Sequence, residues 1–189
     1  MSPMREFELY LMSLMTGKEK VESVLASLGS SVEAMEEAAA RAAKTVGFFE
    51  LIPRELPAYV RFIGPPLDTT IEPGIDDNSP FAGSVRHRFH LPTWPDFDFI
   101  LRTDGDGSAW GPEFIRAAHA VPKAPARARE LLPWTFIERE VRDRFGPYAR
   151  EEAWEFNQIV TYVEEGGATE IKLTFDLALL QQVDIRRIG

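Results

Sequence analysis

The chain has 189 residues, of which 44 % are apolar, a formal charge of −9 at pH 7 and no cysteine. This length suits a single domain with enough apolar residues for a buried core, and the missing thiols exclude disulfides, Cys-ligated zinc, iron–sulfur clusters and cysteine nucleophiles. A surface this acidic repels nucleic-acid phosphates and anionic membrane faces, so neither is expected as a partner.

Only residues 123–150 are net basic, and acids are interleaved there. No stretch approaches the roughly 18 apolar residues of a membrane span. Leu9–Met15 is apolar but short and follows Glu6 and Glu8, whereas a secretory signal has a basic start and a longer apolar run. With no cysteine to suggest an oxidising compartment, the expected location is cytoplasmic.

Over residues 5–15, Phe7, Leu9 and Leu11 alternate with Glu6, Glu8 and Tyr10, which predicts a strand with one buried face. A short helix starting near Ser2-Pro3 is the alternative. Thr16 with Glu19, and Ser30 with Glu33, have the spacing of capping boxes. Each precedes a helical stripe: Val21, Val24, Leu25 and Leu28, ended by Gly29, then Met35, Ala38 or Ala39, Ala42 and Val46. Two N-terminal helices are therefore predicted.

Residues 47–80 read as irregular and proline-rich, around one expected strand at 58–63. The least regular part is a loop over 64–83, long for a compact domain and so mobile or functional.

Three strands follow, over 84–91, 96–103 and 108–115. Asp104-Gly105-Asp106-Gly107 supplies the positive φ of a hairpin turn between the last two. A short helix is expected near 126–132, and Thr135 with Glu138 opens another to Phe145, stopped by Gly146-Pro147. On that helix Glu138–Arg142, Arg139–Asp143 and Glu140–Arg144 are i, i+4 pairs of a solvated face.

Trp154, Phe156, Val160 and Tyr162 alternate along one strand. Ile171, Leu173, Phe175 and Leu177 alternate along the next, across Glu165-Gly166-Gly167-Ala168, and 183–188 closes the chain. Without regular βαβ alternation the pattern is α+β: a mostly antiparallel sheet with two N-terminal helices and one later helix on one face. The whole chain, 1–189, reads as one domain.

The densest collection of chemical groups lies between Val85 and Glu113. His87 and His90 are three apart, so a strand points them to opposite faces, His87 with Phe89 and His90 with Arg86 and Arg88. Two ligands from one strand need even spacing. Asp96 and Asp98 share a strand face with Arg102, which offers them an ion-pair partner as well as the chance of a shared proton. Asp104-Gly-Asp106-Gly-Ser108 starts like a calcium loop but has Ala109 at the glycine position and Ile115 at the final glutamate position. No metal and no cofactor is implied.

Glu6-Phe7-Glu8-Leu9-Tyr10 resembles the start of the ExExK strand of triphosphate tunnel enzymes. Tyr10 stands where that family has lysine, and the later strands lack dense Arg and Lys rows; no residue is carried over. There is no GxSxG elbow, phosphate-binding loop or GxGxxG.

Two functional expectations remain. The first is a non-enzymatic protein-binding module: an acidic inhibitor or partner of the bacterial immunity type, or an assembly subunit. It would bind another protein, for example a basic one, or copies of itself, presenting Trp94, Trp110 and Trp134 as a binding surface, with Trp94 and Trp134 beside prolines. The second is a small-molecule-binding protein or hydrolase-type enzyme whose site joins His87, His90, Asp96, Asp98 and Glu113. The second stands only if these groups converge in one concave pocket.

Overall fold

The computed structural model describes residues 1–46, 54–72, 83–122, 125–154, 156–164 and 167–188. Phe48-Phe49, Pro73–Pro80 and Glu165-Gly166 lie outside the described residues.

The chain opens with helices α1 (Pro3–Ser13), α2 (Lys18–Ser27) and α3 (Val32–Val46). α1 corrects the expected strand at 5–15. Ser2 caps it, its hydroxyl accepting from the Arg5 N–H at 3.3 Å, and Pro3 begins it. Every residue from Phe7 to Met12 is buried, so the apparent two-residue alternation reflected a helix enclosed on nearly all sides.

The caps of the next two helices differ in detail from the predicted boxes. Gly17, with no side-chain acceptor, is the N-cap of α2, because the Thr16 hydroxyl instead donates to Asp176 at 2.8 Å. At α3 the acceptor is Ser31 rather than Ser30, taking the Ala34 N–H at 3.2 Å. Gly29 has φ +62° after α2, the left-handed conformation that its glycine predicted.

A two-residue strand β1 (Arg54–Glu55) leads into α4 (Leu56–Ile63). This helix replaces the strand expected at 58–63. Pro57 starts it, Gly64 ends it at φ +78°, and Tyr59 and Ile63, four apart, are its buried pair. β2 (Asp68–Ile71) then occupies part of the stretch read as a loop over 64–83. It forms because its backbone completes the ladder of the next strand, not because its side chains are buried.

β3 (Val85–His90), β4 (Phe97–Thr103) and β5 (Ser108–Arg116) form the predicted meander. The β4–β5 turn has Gly107 at φ +85°. The Ser108 N–H donates to Asp104 at 3.1 Å and to Asp106 at 2.8 Å, so both aspartates serve the turn. A 3-10 turn at Ala128–Glu130 stands where a short helix was expected, and α5 spans Glu138–Phe145.

Trp154 to Tyr162 is a hairpin rather than one strand: β6 (Arg150–Trp154) turns directly into β7 (Asn157–Val163), with Trp154 opposite Asn157. β8 (Thr169–Asp176) and β9 (Leu179–Arg187) complete the chain.

The fold is α+β, with all strand pairs antiparallel, but the strands form two sheets. Sheet A has the order β1-β5-β4-β3-β2 and sheet B the order β6-β7-β8-β9. On the inner face of sheet A the three N-terminal helices and α4 build one core. Phe7 meets Phe99 edge-on at 5.6 Å, and Phe99 meets Phe114 at 5.5 Å. Each such buried ring contributes about 2–3 kcal/mol by transfer from water. A second core places Val141 of α5 and Phe136 against Val160, Tyr162, Ile171, Leu173 and Phe175 of sheet B.

The two cores meet at the β8–β9 turn, Leu177-Ala178. Both residues have positive φ, 51° and 64°, as a two-residue hairpin requires, yet neither is glycine. The Leu177 side chain is buried in the first core. Its carbonyl accepts from Phe114 and its N–H donates to Phe156, while the Ala178 carbonyl accepts from Glu138. Burial and three hydrogen bonds to three segments offset the left-handed backbone.

Candidate functional site

Strand alternation separates the histidines as the spacing predicted. His87 is buried on the inner face, its Nδ1 3.2 Å from the Thr69 hydroxyl and its Nε2 3.0 Å from the Thr103 hydroxyl. Burial lowers its pKa from the ordinary 6.5, and two hydroxyl partners suit a neutral ring that accepts at one nitrogen and donates at the other. It is a satisfied packing residue.

His90 is exposed on the outer face beside its cross-strand neighbour Asp98, with Nδ1 3.9 Å from the carboxylate. Asp98 is itself buried and accepts from Arg88 at 3.0 Å, while Arg88 also reaches Asp68. Glu113 pairs with the buried Arg102, which stands 3.5 Å from Glu72. The outer face of sheet A is thus laced by cross-strand ion pairs.

Asp96 stands apart. It precedes β4, is exposed, and its carbonyl accepts the Ala117 N–H. The predicted Asp96–Asp98 pair on one strand face does not form, and the arginine that neutralises Asp98 is Arg88, not Arg102. The five candidate residues therefore divide among an inner face, an outer ion-pair lattice and a turn.

The tryptophans divide as well. Trp94 is 1 % exposed and Trp134 8 %, their ring centroids 5.3 Å apart. Trp94 packs on Phe114 at 4.9 Å, and the Trp134 indole N–H donates to Gln181 at 2.8 Å. Both rings are consumed by the core and present no surface to a partner. Trp110 is half-buried opposite Arg102 on sheet A, and Trp154 on β6 is half exposed.

On α5 the Glu138–Arg142 pair forms at 2.7 Å, and Arg139–Asp143 spans 3.7 Å. Glu140 does not take Arg144; it accepts two bonds of 2.7 Å from Arg116, which ties α5 to sheet A. Tyr148 donates to Glu138, and burial is the main cause that pushes its hydroxyl well above the ordinary tyrosine range.

A site that the sequence did not suggest lies along β9. The segment 134–137 covers the start of this edge strand: the Trp134 N–H donates to Leu180 at 2.8 Å, the Leu180 N–H to Phe136 at 2.9 Å, and Ile137 bridges Leu179. Beyond Gln181 no described segment pairs with the outer edge. There the strand floors a groove of about 930 Å³, walled by the start of α2 and by 129–135. That volume is in the range of ligand sites, about 300–1,000 Å³.

Two large apolar side chains of the groove face solvent, Leu132 at 55 % and Ile185 at 51 %. Lys18, Lys20 and Arg129 also line it, with Lys20 5.9 Å from the Trp134 ring centre. The floor is held against α2 by close backbone approach. A Cβ on Gly17 would stand 2.8 Å from the Gln181 carbonyl oxygen, so the site requires glycine.

Two smaller concavities flank the 3-10 turn: a mainly apolar cleft of about 370 Å³ including Phe136 and Phe145, and one of about 620 Å³ reaching Val163 and Ile171. None of the three is lined by His87, His90, Asp96, Asp98 or Glu113. Among the described residues no three His, Asp or Glu side chains cluster as metal ligands, and no helix is long and apolar enough to cross a membrane.

No protein-family model and no curated protein matches this sequence. Among solved structures, the chain aligns with the crystal structure of a DUF4309 family protein (YjgB) from Bacillus subtilis. The alignment has 13 % identity and a TM-score of 0.28, and covers 79 % of this chain and 92 % of that one. Likeness at that level carries no argument about fold or function.

Proposed function

We propose that this protein is a non-enzymatic module that binds another protein, as an inhibitor, an immunity-type partner or a subunit of an assembly. The observation that carries this reading is the β9 groove, where an uncovered strand edge runs beside exposed Leu132 and Ile185. Uncovered edges are templates for another chain, and exposed large apolar side chains beside one favour docking. The charge of −9 speeds encounter with a partner of net positive charge. The enzyme reading loses support because its five candidate groups share no described concavity and three of them are held by Thr69, Thr103, Arg88 and Arg102.

A photo-crosslinking residue placed at Leu132, in cells that make the protein, tests this. One dominant protein adduct is expected, and Ile185→Arg should remove it. Absence of any protein adduct, together with turnover of a small molecule by the purified protein, overturns the reading.

A further inference from the structure

Resting on that reading, we infer that the segment docking in the β9 groove is an extended, acidic stretch of the partner, added to sheet B as a fifth strand. Three features of the groove lead there. First, the uncovered edge from Gln182 to Arg187 offers about 20 Å of backbone at roughly 3.3 Å per residue. A peptide laid along it gains main-chain hydrogen bonds, the interaction that carries affinity in strand addition.

Second, segment 134–137 already pairs with the first residues of β9. An incoming strand continues a ladder that is already begun, and its start is fixed where 132–133 turns away. A helix or a flat folded surface would leave the walled groove unfilled.

Third, the lining holds more cations than anions in a chain whose net charge is −9. Lys18, Lys20 and Arg129 line the groove with Glu19 and Asp184, and Arg129 also stands 3.8 Å from Glu164. Asp184 is engaged by Gln182, whose amide donates to both carboxylate oxygens at 3.0 and 3.1 Å. With Arg186 and Arg187 following on the same edge, an incoming carboxylate finds more cation than anion. Leu132 and Ile185 accept the alternate apolar side chains of the same strand. The net charge of −9 acts at long range on the whole partner, whereas this contact is local, so a basic protein can present an acidic segment here.

The probe is a fluorescent ten-residue peptide of alternating Glu and Val, compared with the Lys–Val peptide of the same pattern by anisotropy at low salt. The Glu–Val peptide should bind, and the Lys–Val peptide at least tenfold more weakly. The doubly reversed variant Lys18→Glu with Arg129→Glu, both exposed positions, should invert that preference. N-methylation along one edge of the Glu–Val peptide should abolish binding, while methylation along the other edge should leave it.

Equal binding of both peptides, or indifference to methylation on either edge, overturns the strand-addition inference. A crosslinked protein adduct at Leu132 with neither peptide binding also overturns it while sparing the protein-binding reading. Loss of adduct and of peptide binding, together with turnover of a small molecule by the purified protein, removes both.

Discussion

Among the described residues, sheet A hides one face under helices, closes the other with ion pairs and ends in the open strand β2, whereas sheet B hides one face under α5 and leaves β6 and most of β9 open at its edges. Arg88 pairs with Asp98 and Arg102 with Glu113 across sheet A, so the region richest in chemical side chains is largely paired within itself. Sheet A also carries an exposed aliphatic residue on an edge strand, Ile71 of β2, but the edge of β9 differs in running along a groove whose wall adds Leu132. Density of polar residues marks where a sheet face is sealed.

The sharpest way to break this comparison is to ask whether the two halves unfold apart. Phe99→Ala in the first core and Phe175→Ala in the second should each cost about 3–5 kcal/mol. The three hydrogen bonds at Leu177-Ala178 predict one shared denaturant transition for both variants. Two resolved transitions, one moved by each variant, would show independent domains.

Asp176→Ala should cost about 3 kcal/mol, because the buried carboxylate accepts from the Thr16 N–H, the Thr16 hydroxyl and the Asn157 amide. Urea unfolding measures this, and a change under 1 kcal/mol would mean that the α1–sheet B tie is dispensable. Gly17→Ala should cost about 1–3 kcal/mol, since its Cβ meets backbone rather than a side chain that can swing away. The same variant should weaken docking in the groove; unaltered stability would show that α2 can shift.

Ala178→Gly should gain about 1 kcal/mol by relieving the left-handed backbone at φ 64°. A loss instead would assign the Ala178 methyl a packing role.

The smallest effect is a pH dependence from His87. Its folded pKa lies below 6.5, so just below 6.5 the unfolded chain binds more protons than the folded one. Stability is then full above 6.5, declines as the pH falls through that value, and stops declining below the folded pKa. In His87→Gln this part of the slope should vanish; an unchanged slope would assign it to other groups.

Much of the fold was legible because local signals agreed with burial. Asp-Gly-Asp-Gly marked the β4–β5 turn, and the alternation of Ile171, Leu173 and Phe175 marked β8. Val21 with Leu25, and Met35 with Ala38 and Ala42, marked two helices. The misread segments are those where context overrides periodicity. α1 is enclosed on all sides, so Phe7, Leu9 and Leu11 alternated without meaning. Between β6 and β7 the sequence offers no glycine or proline, so one strand was read where two exist. The candidate site was less legible still. Lys18, Arg129, Leu132 and Ile185 lie far apart in the chain, and only the uncovered half of β9 brings them to one groove. The Trp-Pro segments misled because a proline beside a tryptophan shapes a corner whether the ring turns outward or, as with Trp94 and Trp134, inward.

The contact between Thr16 and Asp176 spans nearly the whole chain, and Leu177 and Leu179 complete the core that α1 begins. During synthesis the first helices therefore emerge long before the residues that finish their burial. Until β8 and β9 leave the ribosome, Phe7, Leu9 and Leu11 lack part of their cover, and final closure waits on contacts of very high sequence separation. The β8–β9 hairpin should therefore dock late and lock α1 in place.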